Sequence, residues 1–404
     1  MIKSIVLITT GQPSVNPRIV KEADSLQNQG FDVTVLFCFF INWAREKDLI
    51  LLKNVKWKYE IVGGTPTENK YIFLFTRIRY KLFRFLNMWL GNNFLIAERS
   101  QARAYDELLK AAKKIKADWY IGHNLGALPI AVKAALFNNA KSGFDFEDYH
   151  RGESFPIIKM DFKRICFLEN KYVSYLTYYS TSSDLITDLT KKNHIQFKGQ
   201  VITLLNCFPL VQQPKYISKK EYDRTLQLFW FSQTIGIGRG LEVLIKAINY
   251  LNDTTIHLTL AGRCNNDILK YINENAGVMV TNVHFAGIIQ PENLPDFASK
   301  FDVGLAIETG FSENNHIALS NKLFTYLLAG NALVLSKTSM QYIFNKNYQV
   351  GENIDINNLE QLANKILYYK NTSNLNKQKL YNYQLANSSL NWENESQKLL
   401  AIIK

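Results

Sequence analysis

Several short stretches of the chain hold residues that could handle a negatively charged ligand. In Ser320–Ser336, read SNKLFTYLLAGNALVLS, Ser320 stands as a helix N-cap and an apolar helical run follows. Gly330 ends the run and a short strand begins at once. Lys322 falls in the first turn, where a cation gains nothing from the helix dipole. Positive charge placed on an already positive helix end points to an anion, and a phosphate group fits. Ser320, Asn321 and Lys322 are therefore candidate ligand contacts. In Ser232–Gly240, read SQTIGIGRG, three glycines and Arg239 follow a strand and precede a helix. Glycines such as Gly238 let backbone amides face an anion, and arginine can bind two phosphate oxygens at once. A tight strand-to-helix connection would use the same glycines.

A further candidate loop, Gly11–Arg18, follows the first strand. It lacks GxGxxG, which argues against dinucleotide binding of the dehydrogenase kind. Gly11 permits close backbone approach on the donor side, and Arg18 could meet a phosphate or an acceptor; a plain turn with a solvated arginine is the other reading. Asp118–Pro129, DWYIGHNLGALP, places His123 at a strand end, where a hydrogen-bonded structural histidine is the plain reading. Phe144–Glu153, FDFEDYHRGE, gathers Asp148, His150, Arg151 and Glu153 in one loop. Such a cluster also suits a surface set of salt bridges.

These loops need strands to carry them. Apolar runs alternate with helical patterns in both halves, the mark of α/β architecture with parallel sheets. Strands are expected at Ser4–Thr9, Val33–Phe39, Trp119–Gly122 and Ser142–Phe146, then at Leu226–Phe231, His257–Ala261, Val283–Ala286, Val303–Ile307 and Ala332–Leu335. Asn16-Pro17 opens a helix whose face is Ile19, Val20, Ala23 and Leu26. Leu241, Leu244, Ile245, Ile248 and Leu251 mark another. The expected domains are 1–209 and 226–385, both doubly wound, joined by a polar linker at 210–225. A last helix within 386–404 would pack back on the first domain. In such sheets ligands bind outside the carboxyl ends of the strands.

At 404 residues and 47% hydrophobic content, the chain can fill two cores. A net charge of +12 favours an anionic partner. The four cysteines and six histidines are scattered without metal-ligand spacing, so neither a metal nor a disulfide framework is expected. The first residues read as a strand rather than a signal peptide. No apolar run reaches the roughly 18 residues that span a bilayer, so a cytoplasmic protein is expected, with contact at the inner membrane face an option.

The Ser320–Ser336 stretch resembles the donor-binding helix of GT-B sugar-nucleotide glycosyltransferases of family 4, which often reads close to NKLFEYMAAGLPVIAS. DWYIGHNLGALP is similar to that family's DVIHAHDLPALP, and the Phe144–Glu153 strand end to its YDAHE. LTLAGR, NVHFAG and VGENIDINNLEQLANKI follow the family's order and spacing. The resemblance runs from Met1 to about Lys370 and is weak over 41–116. It implies two Rossmann-like domains facing a cleft and a nucleotide-sugar donor as co-substrate, with no bound cofactor or metal. It also implies His123 beside the transferred sugar, and Asp148, His150 and Glu153 on the acceptor side with Arg18. Three family positions depart. Arg239 matches the family's lysine, but Gln233 stands where its arginine would be. The two glutamates spaced by seven residues fall on Ile317 and Thr325, leaving Thr325 to hold the ribose.

The expected activity is sugar transfer to a glycan or lipid-linked glycan in cell-surface polysaccharide synthesis, with retention of configuration. A non-catalytic binding subunit and a sugar-nucleotide epimerase are the alternatives on the same fold. Residues 70–89 add a separate signal. Five basic residues and no acidic one are interleaved with seven aromatics, which suits an anionic membrane surface or, equally, an amphipathic helix with its aromatics in the core. Nucleic acid is not an expected partner, since no RNA- or DNA-binding fold pattern accompanies the charge.

Overall fold

The computed structural model describes residues 2–404. The chain divides into two compact units, one running to Leu204 and including Ser396–Lys404, the other Leu205–Glu395. The first unit holds seven strands: β1 (Ser4–Thr9), β2 (Asp32–Cys38), β3 (Lys58–Val62), β4 (Trp119–His123), β5 (Lys141–Phe146), β6 (Tyr178–Thr181) and β7 (Gln200–Thr203). They form one parallel sheet in the order β3-β2-β1-β4-β5-β6-β7, with Leu7 opposite Val35 on one side and Ile121 on the other. Side chains alternate between faces along each strand. Ile5 and Leu7 therefore pack with Ile19, Ala23 and Leu26, while Val6 and Ile8 pack with Leu108, Ile130 and Ala134. Helices cover both faces, and the expected α/β class holds.

The second unit holds β8 (Leu226–Thr234), β9 (Ile256–Arg263), β10 (Val283–Gly287), β11 (Val303–Ala306), β12 (Ala332–Ser336) and β13 (Gly351–Ile354). Their order is β10-β9-β8-β11-β12-β13, again parallel. Leu228 and Trp230 bury against Leu244, Ile245 and Ile248 of the Leu241–Leu251 helix. In each sheet the order reverses beside the first strand, between β1 and β4 and between β8 and β11. Those are the positions where loops part and a crevice forms.

All nine expected strands are present within two or three residues of their expected ends. Four were missed: β3, β6, β7 and β13. Three of these are sheet edges, where half the residues face water and the apolar run is lost. In β3 only Val62 of KYEIV is buried.

The expected linker 210–225 belongs to the second unit. Tyr383 Oη donates to the Pro214 carbonyl (3.0 Å), and Asn376 exchanges two hydrogen bonds with the Lys219 backbone (2.7 and 2.8 Å). Lys219 Nζ also pairs with Asp302 at 2.9 Å. The segment's polarity thus serves fixed pairing with the Thr372–Ser388 helix rather than solvation. Leu399, Leu400 and Ile403 of the last helix lie in a core of the first unit. No helix among the described residues is long and apolar enough to cross a membrane.

Candidate functional site

In the second unit, the crevice between β8 and β11 collects most of the expected donor residues. The loop after β8 turns through Gly238 and Gly240, both at positive φ (78° and 86°). Gly240 ends it, and a Cβ there would stand 2.6 Å from Ile307 Cγ2. The loop after β11 joins it, because Thr309 Oγ1 donates to the Gly238 carbonyl (3.2 Å). Gly240→Ala is expected to cost about 1–3 kcal/mol, since it adds a strained φ and a clash. Gly236 has neither, so Gly236→Ala is expected to stay within about 0.5 kcal/mol. Urea unfolding of the two variants checks the contrast.

Arg239 is exposed, and its Nη1 donates to Ser232 Oγ at 3.1 Å. The Gly238 amide is not free for an anion, because it donates to Glu242 Oε1 at 2.6 Å. Gln233 lies on β8 itself, which runs past its expected end to Thr234, and its side chain is exposed. Arg263 ends β9 opposite Thr234 and is also exposed. It brings a second guanidinium to the carboxyl edge of this sheet. Its place directly after an apolar strand was the available signal.

The helix Asn321–Ala329 begins beside these loops. It is held down by Tyr326, whose ring fits over Gly304, where a Cβ would approach to 2.2 Å. Tyr326 Oη donates to the Phe229 carbonyl at 3.0 Å. Ser320 occupies the N-cap position, but its hydroxyl makes no capping bond. Asn321 Oδ1 accepts from Asn206 Nδ2 (2.9 Å), which orients it. Lys322 Nζ pairs with Glu308 Oε1 at 2.6 Å and lies 5.7 Å from the centre of the Trp230 ring. Burial would raise the Glu308 carboxyl, but Lys322 outweighs it and holds the group below the usual glutamate range. Glu308 was not among the residues expected from the sequence. It lies two residues past the end of β11, where ligand loops start.

Thr325 cannot hold a ribose in this arrangement. It is fully buried, and its hydroxyl donates back to the Asn321 carbonyl at 2.9 Å. A short hydroxyl on the inward helix face satisfies itself within its own helix, where a glutamate would have reached out.

In the first unit, two expectations are corrected. Arg18 is not a solvated or acceptor-side cation: it is wholly buried. Its Nε lies 2.6 Å from Asp145 Oδ2, its Nη2 donates to Asp145 Oδ1 (2.9 Å), and its Nη1 donates to the Leu204 carbonyl (2.8 Å). His123 is 1% exposed, with Nε2 3.2 Å from Glu22 and Nδ1 3.6 Å from Asp145. Burial would lower its pKa, but the two carboxylates outweigh that and push it up to about 10. The imidazole is thus held between two carboxylates and shut off from solvent. Glu22, His123 and Asp145 could together hold a metal ion by spacing. The cation among them is already the Arg18 guanidinium, which shares Asp145 Oδ2 with His123. Glu22 was legible as a carboxylate on the apolar face of Ile19, Ala23 and Leu26, and Asp145 as a charge inside the buried run Phe144–Phe146.

Gly11 shows no need for close approach, since an added Cβ would meet nothing nearer than 3.8 Å. The Asp148–Glu153 turn is largely paired internally. His150 is buried against Glu153, which outweighs burial and raises the histidine to about 9. Arg151 binds Glu169 at 2.5 Å and Asn170 at 2.8 Å. Asp148 is half-buried in the same turn.

No protein-family model and no curated protein matches this sequence. Solved structures match its fold. HepE from Anabaena, in complex with UDP and glucose, is 13% identical over 99% of both chains, with a TM-score of 0.68. Sucrose-phosphate synthase from Thermosynechococcus elongatus is 12% identical over 99% of this chain and 98% of its own, with a TM-score of 0.70. A glycosyltransferase from Rickettsia africae is 12% identical over 100% and 99%, with a TM-score of 0.68. With two doubly wound parallel sheets matched over the whole chain length, this protein has the GT-B glycosyltransferase fold.

Proposed function

We propose that this chain is a glycosyltransferase that takes a sugar from a nucleotide-sugar donor held on the second unit. The observation that carries the reading is the crevice between β8 and β11. Lys322 and the uncapped start of the Asn321–Ala329 helix follow β11 there, and Arg239 lies in the loop that follows β8. A departing diphosphate gains there from two cations and from helix amides, all fixed before reaction. Those cations would do the neutralising that a divalent metal does elsewhere. The acceptor we infer is a glycan or lipid-linked glycan in polysaccharide synthesis on the cytoplasmic side. Configuration would be retained by departure and attack on one face of the sugar, which needs no protein nucleophile.

HepE was solved with UDP and glucose, so UDP is the first nucleotide to try. Calorimetry with UDP, GDP, ADP and CMP, without added metal, is expected to show binding of one. Arg239→Ala should weaken it about tenfold or more, as expected for a lost charge-assisted contact. Failure of all four to bind overturns the donor reading. A second reading, a non-catalytic binding subunit, draws on the Lys322–Glu308 pair, which already satisfies the cation, and on the buried Thr325. Nucleotide binding with no donor breakdown, even with acceptor extracts, would favour it.

A further inference from the structure

The 21-residue helix Lys70–Leu90 is well anchored on one side only. Phe73 stacks edge-on against Phe39 at 5.7 Å, Arg79 pairs with Asp106 at 3.1 Å and also binds Glu107, and Arg164 donates to Asn87 Oδ1 at 3.3 Å. Phe73, Thr76 and Asn87 are buried and mark the packed face. The opposite face is apolar yet open. Tyr71, Phe75, Ile78, Leu82, Phe85 and Trp89 recur at three- and four-residue steps, within about 40° of one line along the helix. All six are exposed, from Leu82 at 51% to Tyr71 at 88%. Four of the seven aromatics in this stretch thus face outward, while Phe73 is buried and Tyr80 and Phe83 are half-buried.

One flank of the stripe carries Lys70, Arg77, Lys81 and Arg84, and the helix has no acidic residue. Arg84 reaches Asp161, while Lys70, Arg77 and Lys81 make no ion pair among the described residues. The apolar surface extends past the helix end. Phe94 is 89% exposed, and Ile157 and Ile158 are exposed in the segment that Arg84 and Asn92 tie to this end (Asn92 Nδ2 to the Lys163 carbonyl, 3.2 Å). A stripe this long is more than an isolated protein ordinarily leaves in water.

We propose that this face of the first unit docks on an anionic lipid bilayer, the helix lying in the plane of the headgroups. The rigid anchoring, the one-sided apolar stripe and the unpaired lysines and arginine beside it match that solvent: acyl chains take the aromatics, and lipid phosphates take the cations. A second protein would need an equally long apolar groove lined with carboxylates. The inference goes beyond the transferase reading and does not depend on it.

The test is co-sedimentation of the whole protein with vesicles of phosphatidylcholine containing phosphatidylglycerol, against phosphatidylcholine alone. Binding is expected to the anionic vesicles, weaker by about tenfold or more without phosphatidylglycerol and in Arg77→Glu/Lys81→Glu. Phe85→Ser/Trp89→Ser should lose a similar factor. These side chains are exposed, so the fold should survive, and unchanged melting confirms it. Trp89→Phe should still bind but lose a blue shift in emission that the wild type shows on binding. Vesicle binding that ignores the Phe85 and Trp89 substitutions overturns the proposal. So does a wild-type dimer that these substitutions make monomeric, with no pelleting in either form. Nucleotide calorimetry on the same variants is expected to be unchanged, which keeps this result separate from the donor reading.

Discussion

Asp145→Asn is expected to remove about 3–5 kcal/mol from the stability of the first unit, the cost of leaving a buried cation without its partner. Asp145 accepts from Arg18 and from Ser180 Oγ (2.7 Å) and faces His123, and all of these groups are shut away from water. The exposed pair of Lys58 and Asp32, at 2.8 Å, offers a control. Asp32→Asn should cost no more than about 1 kcal/mol, because water screens that contact. Urea unfolding of both variants measures the difference, and equal costs would show that the buried network is not what holds the sheet end.

This network and the His150–Glu153 pair give the first unit a pH dependence of definite sign. In the unfolded chain a histidine titrates near 6.5, as a rough reference. Folded, His123 keeps its proton to about 10, and His150 to about 9. Between the unfolded and folded values the folded unit binds more protons, so stability falls as pH rises. The contribution is complete below about 6.5 and gone above about 10. Melting temperatures across this range should decline, and His123→Gln should flatten much of the slope.

Lys322→Ala is expected to lower donor breakdown about 100-fold or more, the scale seen when a fixed group facing developing negative charge is removed. Its partner makes the opposite prediction. Glu308→Gln keeps the shape but removes the charge that competes with a diphosphate for Lys322 Nζ. Nucleotide affinity should then rise about tenfold. Calorimetry with the nucleotide that wild type binds reads this directly. Weaker binding in Glu308→Gln would mean that the carboxylate orients the lysine rather than opposing the ligand.

Much of the fold was legible because buried parallel strands leave unbroken apolar runs, as in Val6–Ile8 and Leu333–Leu335. Edge strands such as β3 and β13 left no such run. The helix at Ser320 and the loop at Gly240 were legible through cap and turn chemistry, which is local. What could not be read was pairing across the sheet. Arg18 looked like a free loop cation because Asp145, its partner, lies more than a hundred positions away, although Glu22 and Asp145 each betrayed themselves by sitting in apolar surroundings. Glu308 and Lys322 carried the same difficulty, since only the fold shows that two charged residues fourteen positions apart on one connection meet.

The last helix has a consequence for the order of events during synthesis. Lys3 Nζ donates to the Ile403 carbonyl at 3.0 Å, and Leu399, Leu400 and Ile403 share a core with Ile5 and Leu7. The unit that leaves the ribosome first is therefore completed by residues that leave it after the whole second unit. Until they arrive, an apolar groove on its sheet stays open beside Ile5, Leu7 and Val33. The usual sequence, in which an amino-terminal domain closes before the next is made, cannot run to completion here. The first unit must wait with that groove exposed, and the second unit's own folding is bracketed by the start and the end of the first.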